Sequence, residues 1–456
     1  MNFDILFRDL GARRFRVGVT GAGGEFSRSL LSQIGAVPNL RVAALCDLDP
    51  QRVLRLLDEL GIPGGVLCHD AAGVAALGEG IAVVADAALL AQTPLDILVE
   101  ATGQPEAGGR IAAEAIGRGV HVAMVSKEVD SVVGPQLNQL ALRRGVVYTT
   151  AEGDQPANLI GLVTWARLLG FEVVAAGKSS EYDFVFDHHS GDLTWTDRTC
   201  HAPGLAAAWR LGDDVAATLA RRSALLADLP QSATPDYCEM NVVANSTGLL
   251  PSRDALSYPV CRITELADIF VPREHGGILD RTGVVDVFNC LRRTDEVSFG
   301  GGVFVIVKCG DSKVWEMLRG KGHVVSRDGR HACIFLPYHF MGLETPLSLL
   351  SAVAHGRASG SDRQRAHAVM VARADRDFRA GEVLHMGGHH HVMTDTTALL
   401  LPAAEATGLA PFYLAANKPL RAPVRAGELI PESAVELDGS FLHNLRRTVA
   451  VPEQAA

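Results

Sequence analysis

Up to residue 153, short apolar runs alternate with stretches of helical spacing, and this alternation leaves few folds open. "FRVGVTGAG", "LRVAALCD", "IAVVAD", "LDILVEATG", "HVAMVS" and "VVYTTAEG" read as buried strands. "FSRSLLSQIGAV", "PQRVLRLLDELG" and "EAGGRIAAEAIGRG" read as helices between them, the second with Pro50 near its start and Gly61 after its end. Strands that alternate with helices predict an α/β fold, a doubly wound parallel sheet covered on both faces. Residues 1–153 are assigned to this domain.

The pattern then changes. "QPANLIGLVTWARLLG" reads as a helix and "FEVVAAG" as a strand, followed by a polar, loop-rich stretch over 187–235. "TGVVDVFNCLRR", "GGVFVIVKCG" and "HACIFLP" read as further strands, so 154–364 is expected to form a second, α+β domain built on a mixed sheet. The helix near 344–356, "ETPLSLLSAVAHG", is expected to return to the first domain. Residues 365–456 carry small β elements with Gly and Pro, and predict a separate compact β-rich module. The tetrapeptide "RAGE" occurs in it twice.

Composition narrows the function classes. The chain has 456 residues, 48% of them hydrophobic, enough for several cores. A formal charge of −10 argues against nucleic acid or an anionic membrane as partner. Eight cysteines without a CxxC pair suit reduced thiols in a cytoplasmic protein. The N-terminal stretch lacks the apolar core of a signal peptide, and no apolar run is long enough to span a membrane.

The motifs point to a cofactor. In "VGVTGAGGEF", Gly21 suits a tight turn and Gly23 lets backbone approach a pyrophosphate, with Gly24, Glu25 and Phe26 leading into a helix N-terminus. Phe26 stands where the Rossmann-type fingerprint has its third glycine. Asp47 ends the next strand, placed to hold ribose hydroxyls, which favours NAD, while nearby Arg52 leaves NADP open. Ala101, Thr102 and Gly103 in "VEATG" end another strand at the same edge and are candidates to line ribose and nicotinamide.

Chemistry is expected beside them. Lys127 follows the strand "HVAMV", and a lysine desolvated in a cleft can pass a proton to or from a substrate oxygen. Glu152 and Asp154 sit between the two domains, where carboxylates can bind hydroxyls, while Asp154 also suits a helix N-cap. Lys178 follows the strand "FEVVAAG" and is expected to reach substrate from the second domain. Asn241 and Asn245 would share a helix face toward the cleft. Tyr338, His339 and Glu344 are further substrate candidates. The histidine clusters "DHHSGD" and "GGHHHVM" lack ligand spacing and read as solvated loops, so no metal is assigned.

Several of these stretches together, "GVTGAG", "CDLDP", "EATG", "EGDQPA", "VVAAGK" and "NSTGLLP", resemble the homoserine dehydrogenase-like oxidoreductases that carry a C-terminal SAF domain. "ADRDFRAGE" and "PLRAPVRAGELIP" look like that SAF module. The group includes deoxyxylulose-phosphate reductoisomerase-like enzymes and apionate oxidoisomerases. The resemblance implies a bound NAD or NADP and hydride transfer at a CH–OH group of a small polyhydroxylated or branched sugar acid, with or without isomerisation. It implies Lys127 as the proton-transfer residue and a homodimer or higher homo-oligomer. Two other readings stay open, a simple homoserine-type alcohol dehydrogenase and a non-catalytic NAD(P)-binding sensor or assembly protein.

Overall fold

The computed structural model describes residues 2–308, 310–388 and 390–449; Cys309 and His389 lie outside them. The first domain is a seven-stranded sheet built from β1 (Phe15–Thr20), β2 (Leu40–Cys46), β3 (Gly65–Leu67), β4 (Ile81–Val84), β5 (Ile97–Glu100), β6 (His121–Met124) and β7 (Tyr148–Thr150). Their order is β3-β4-β2-β1-β5-β6-β7, every pair parallel. The six strands expected are present. The edge strand β3 is additional, three residues of which none is fully buried, too short and too exposed to register as an apolar run.

Strand order reverses at β1, whose neighbours are β2 on one side and β5 on the other. A sheet of this kind leaves a crevice at its carboxyl edge where the order reverses. The loops after β1, β2 and β5 therefore converge there, and those are the glycine turn, Asp47 and the "ATG" segment.

The central domain holds a nine-stranded mixed sheet. Its longest strand, β8, runs 14 residues from Val173 to Phe186. The expected strand stopped at Gly177, because "KSSEYD" is polar. It continues because β8 is paired on both sides, in parallel with Val284–Arg293 and antiparallel with Val303–Lys308. Lys178 thus lies inside the strand, not after it, opposite Val287 and Val303.

Two helices, Gln155–Leu168 and Thr234–Thr247, pack together against this sheet. The second is buried on nearly all sides, including its polar residues Asp236, Glu239, Asn241 and Asn245. A helix so enclosed must pair every charge it carries, since an unpaired buried ion is costly.

The helix Thr345–His355 packs back on the first sheet, with Leu349, Leu350 and Ala352 in the core that holds Val17, Val19 and Val99. The C-terminal module pairs Ala368–Ala374 with Thr396–Pro402 in antiparallel fashion. It does not stand apart. Its Met370, Leu400 and Leu442 share one hydrophobic core with Val133 of the first domain and Val243 of the central one. The closing helix Phe441–Thr448 lies on Pro105–Gly117, where a Cβ at Gly109 would meet Leu442 Cδ2 at 2.4 Å. Among the described residues, no helix is long and apolar enough to cross a membrane.

Candidate active site

The glycine turn is built as a close approach. Gly21 has φ +62°, and a Cβ there would stand 2.2 Å from the carbonyl oxygen of Ala101. Only glycine meets both conditions. Gly23 N–H donates to Asp47 Oδ2 at 2.9 Å, and Asp49 N–H donates to Oδ1 at 2.9 Å. Asp47 therefore lies against the turn itself. Gly24 is the N-cap of the helix Glu25–Ile34, with Glu25 in its exposed first turn.

The missing third glycine is accommodated by rotation around the helix. Ser27 is the buried residue facing β1, and its hydroxyl donates to the Gly21 carbonyl at 2.9 Å. Phe26 turns aside and lines the cleft with Met341.

In the "EATG" loop, Glu100 is buried, and burial pushes its carboxyl up. It accepts from Thr102 N–H at 3.0 Å and Thr102 Oγ1 at 2.6 Å. The Thr102 hydroxyl, expected to face a cofactor, is thereby occupied. Ala101 and Gly103 do line the cleft, and Gly103 N–H donates to Ser126 Oγ at 2.8 Å.

Lys127 opens the helix Lys127–Arg144 immediately after this loop contact. Its ammonium pairs with Glu239 and lies 3.7 Å from Asp154 Oδ2. The other Glu239 oxygen pairs with Lys178, which also lies 2.7 Å from Asp236 Oδ1. Asp236 Oδ2 accepts from Ser180 Oγ at 2.7 Å. Asp236 and Glu239 are three residues apart on one helix and so share a face. Lys178 and Ser180 are two apart on β8 and likewise point one way.

Charge in this cluster runs opposite to the simplest expectation for a cleft lysine. Burial works against the Lys127 ammonium, but Asp154 and Glu239 outweigh it and hold the group well above the usual lysine value. Burial also opposes Lys178, and Asp236 and Glu239 raise it. Glu239 is pushed up by burial and pulled further down by the two lysines, ending below the usual carboxylate range. Both lysines are thus charged, not neutralised by desolvation.

Two cavities meet at this cluster. One, about 320 Å³, runs from Phe26, Ala101 and Gly103 to Lys127. The other, about 360 Å³, runs from Lys127 to Lys178, Ser180 and Asp236. Lys127, Glu128, Gln155, Glu239 and His339 line both.

Other expected residues fall elsewhere. Asp154 is both a helix N-cap, accepting from Gln155 N–H at 2.9 Å, and a wall of the first cavity. Glu152 lines neither cavity; it faces Glu344, and burial followed by that neighbour pushes it up to about 7. Glu344 accepts from Asn158 Nδ2 at 3.2 Å and Phe340 N–H at 3.1 Å. His339 stays at the cleft, its Nδ1 3.0 Å from the Gly301 carbonyl oxygen, whereas Tyr338 is exposed.

Asn241 and Asn245 do not face the cleft. Asn241 Nδ2 donates to the Ala368 carbonyl at 2.7 Å, and Asn245 Oδ1 accepts from the N–H groups of His367 and Ala368 at 2.8 and 3.0 Å. They join the central helix to the C-terminal module. In the "GGHHHVM" stretch, His389 lies outside the described residues, and the next two histidines are not simply solvated. His391 and His390 pair with Glu128 and Glu181 at the cleft. Among the described residues, no group of three or more His, Cys, Asp or Glu is placed to hold a metal ion.

Sequence reasoning missed Asp236, Glu239, Glu128, Ser180 and the two histidines. An i, i+3 pair of carboxylates is all the sequence offers for the first two, and it does not say what that helix faces.

Residues 153–345 match the family model of the oxidoreductase DRL catalytic domain. These residues contribute Asp154, Lys178, Asp236 and Glu239 to the cluster, so the matched oxidoreductase domain holds most of its charged groups. No curated protein matches the sequence. Among solved structures, a DOX-P reductoisomerase in complex with magnesium is similar at 19% identity over 37% of this chain and 46% of that one, TM-score 0.29. A dehydrogenase from Chromobacterium violaceum is similar at 20% identity over 38% and 47%, TM-score 0.26. An oxidoreductase from Agrobacterium radiobacter, in complex with NAD+, L-tartaric acid and magnesium, is similar at 19% identity over 39% and 47%, TM-score 0.27. The matched part of the chain thus spans less than half of each of these proteins.

Proposed function

We propose that the chain is an NAD(P)-dependent oxidoreductase acting on a CH–OH group of a small polyhydroxylated molecule. The observation that carries this reading is the pair of cavities joined at Lys127, one reaching Phe26 in the helix after the glycine turn together with Ala101 and Gly103, and the other the Lys178 cluster. The residues present fit a dinucleotide. Gly21 and Gly23 would form the turn for the pyrophosphate, with the helix N-terminus at Gly24 and Glu25, and Asp47, held against that turn, would accept ribose hydroxyls. Ala101 and Gly103 border the nicotinamide end. When bound, such a cofactor supplies or accepts hydride.

The chain's own residues do the rest. Lys127, held as an ammonium, donates to the substrate oxygen and gives up its proton as that oxygen becomes a hydroxyl. Asp154 and Glu239 hold Lys127 charged until then. Lys178 adds a second fixed positive charge near developing oxyanion character. Asp236 and Glu181 offer carboxylate oxygens to substrate hydroxyls. In the reverse direction the hydroxyl proton returns to Lys127.

We read the last module as SAF-like. The two stretches that contain its "RAGE" segments run antiparallel, with Phe378 opposite Val424 and Arg373 opposite Leu429. The oxidoreductase match supports an enzyme over a non-catalytic sensor.

The test is nicotinamide absorbance across a panel of sugar acids and amino alcohols with both cofactors, followed by Lys127→Ala on the substrate found. The variant is expected to lose about 10²- to 10⁴-fold in turnover while still binding NADH or NADPH. Full turnover in Lys127→Ala would remove the proton-transfer role.

A further inference from the structure

The C-terminal module sends a short hairpin, Met386–Gly387 paired with Val392–Met393, into the mouth of the cleft. His391 Nδ1 lies 2.9 Å from Glu128 Oε1, and Glu128 is the residue after Lys127. The same ring stands against the "ATG" loop, where a Cβ on Gly103 would be 2.7 Å from His391 Cε1. His390 Nε2 lies 3.2 Å from Glu181 Oε2 and lines the cavity of Lys178. One short segment therefore touches a cofactor-domain loop, the helix that begins with Lys127, and the central sheet.

The backbone of the segment is held in a demanding shape. His391 has φ +47°, a region that non-glycine residues adopt at a cost. Asp395, φ +58°, is fixed by Arg376 at 2.7 Å. Backbone held away from its preferred wells persists only where the surroundings over-determine it, and such sites cluster at functional clefts.

We propose that the C-terminal module is a working part of the active site, with His391 as the positioning residue that sets the Gly103 loop and the Glu128 end of the Lys127 helix. This rests on reading residues 101–103 as the cofactor loop. The contact is reinforced by charge. The Glu128 hydrogen bond outweighs burial and holds His391 above the usual imidazole value, with Lys127 acting in the opposite sense.

The test uses the full chain, with hydrogen exchange of segments 100–104 and 127–131 in the unliganded protein and fluorescence titration with NADH and NADPH. His391→Ala is expected to speed exchange in both segments and weaken cofactor binding several-fold. His391→Asn is expected to restore most of both, because asparagine tolerates positive φ and offers an amide donor near the position of Nδ1. Glu128→Gln removes the charge from the opposite side of the contact and is expected to loosen the same two segments. Unchanged exchange and affinity in both His391→Ala and Glu128→Gln would overturn the proposal. Faster exchange throughout 365–449 in His391→Ala would overturn it too, marking the residue as part of the module's scaffold. Wild-type protein that binds neither NADH nor NADPH would sink the functional reading alone, and the exchange measurement would still decide the contact.

Discussion

Glu239 gives one oxygen to Lys127 and the other to Lys178, so a single carboxylate sets the spacing of two ammonium groups from different domains. Glu239→Ala leaves two buried cations with only Asp154 and Asp236 beside them. Breaking a buried pair from one side costs about 3–5 kcal/mol, and chemical denaturation is expected to show a loss of that order. Lys127, Lys178 and Asp154 were legible as candidates because each follows or interrupts a buried strand or starts a helix. Glu239 was not, since an acid on a helix says nothing about what that helix faces. Histidines 390 and 391 were less legible still. His391 meets Glu128 across 263 residues of sequence, and no local pattern encodes such a contact.

At the scale of elements, the glycine turn and the buried central helix make different demands. Gly21→Ala places a methyl 2.2 Å from the Ala101 carbonyl oxygen at φ +62°. The turn must shift, and the expected outcome is a lower Tm with loss of cofactor binding in fluorescence titration. Asn245→Ala removes the acceptor for two backbone N–H groups of the C-terminal module. His367 N–H keeps the Arg365 carbonyl at 3.0 Å, so the buried Ala368 N–H is the donor left unpaired, at about 1–3 kcal/mol, expected as lost stability with the KM of the substrate found unchanged. An unchanged KM is the outcome that separates a structural asparagine from a substrate contact. The parallel sheet was readable because its strands are apolar on both faces. The full length of β8 was not, because pairing on both sides overrides the local polarity of "KSSEYD".

At the scale of the molecule, Glu152 and Glu344 face each other where the central domain meets the helix that returns to the first sheet. Glu152 titrates near 7 in the folded chain against an ordinary value of 4.5. Between those values the native state keeps a proton that the unfolded chain has released, so stability falls as pH rises. Glu152→Gln is expected to remove that slope. The variant should match wild type at low pH and melt about 2 °C higher above neutrality, as read by thermal unfolding across pH. The change in pattern near residue 153 falls where the last parallel strand, Tyr148–Thr150, gives way to the helix Gln155–Leu168. The shared core of the C-terminal module was not legible, because sequence shows that a segment is apolar without showing which neighbour covers it.

The chain passes between its two large domains at Gly153 and returns at Gly342, and these crossings touch, Gly342 N–H donating to the Gly153 carbonyl at 3.2 Å. Two strands of a bridge laid side by side act as an axle, leaving one direction of swing. The C-terminal module is bolted to both sides of that axle, to one through Leu442 on Gly109 and to the other through Asn245. An axle with a brace across it is a frame. The brace crosses the axle, so any parting of the two large domains would have to break these contacts.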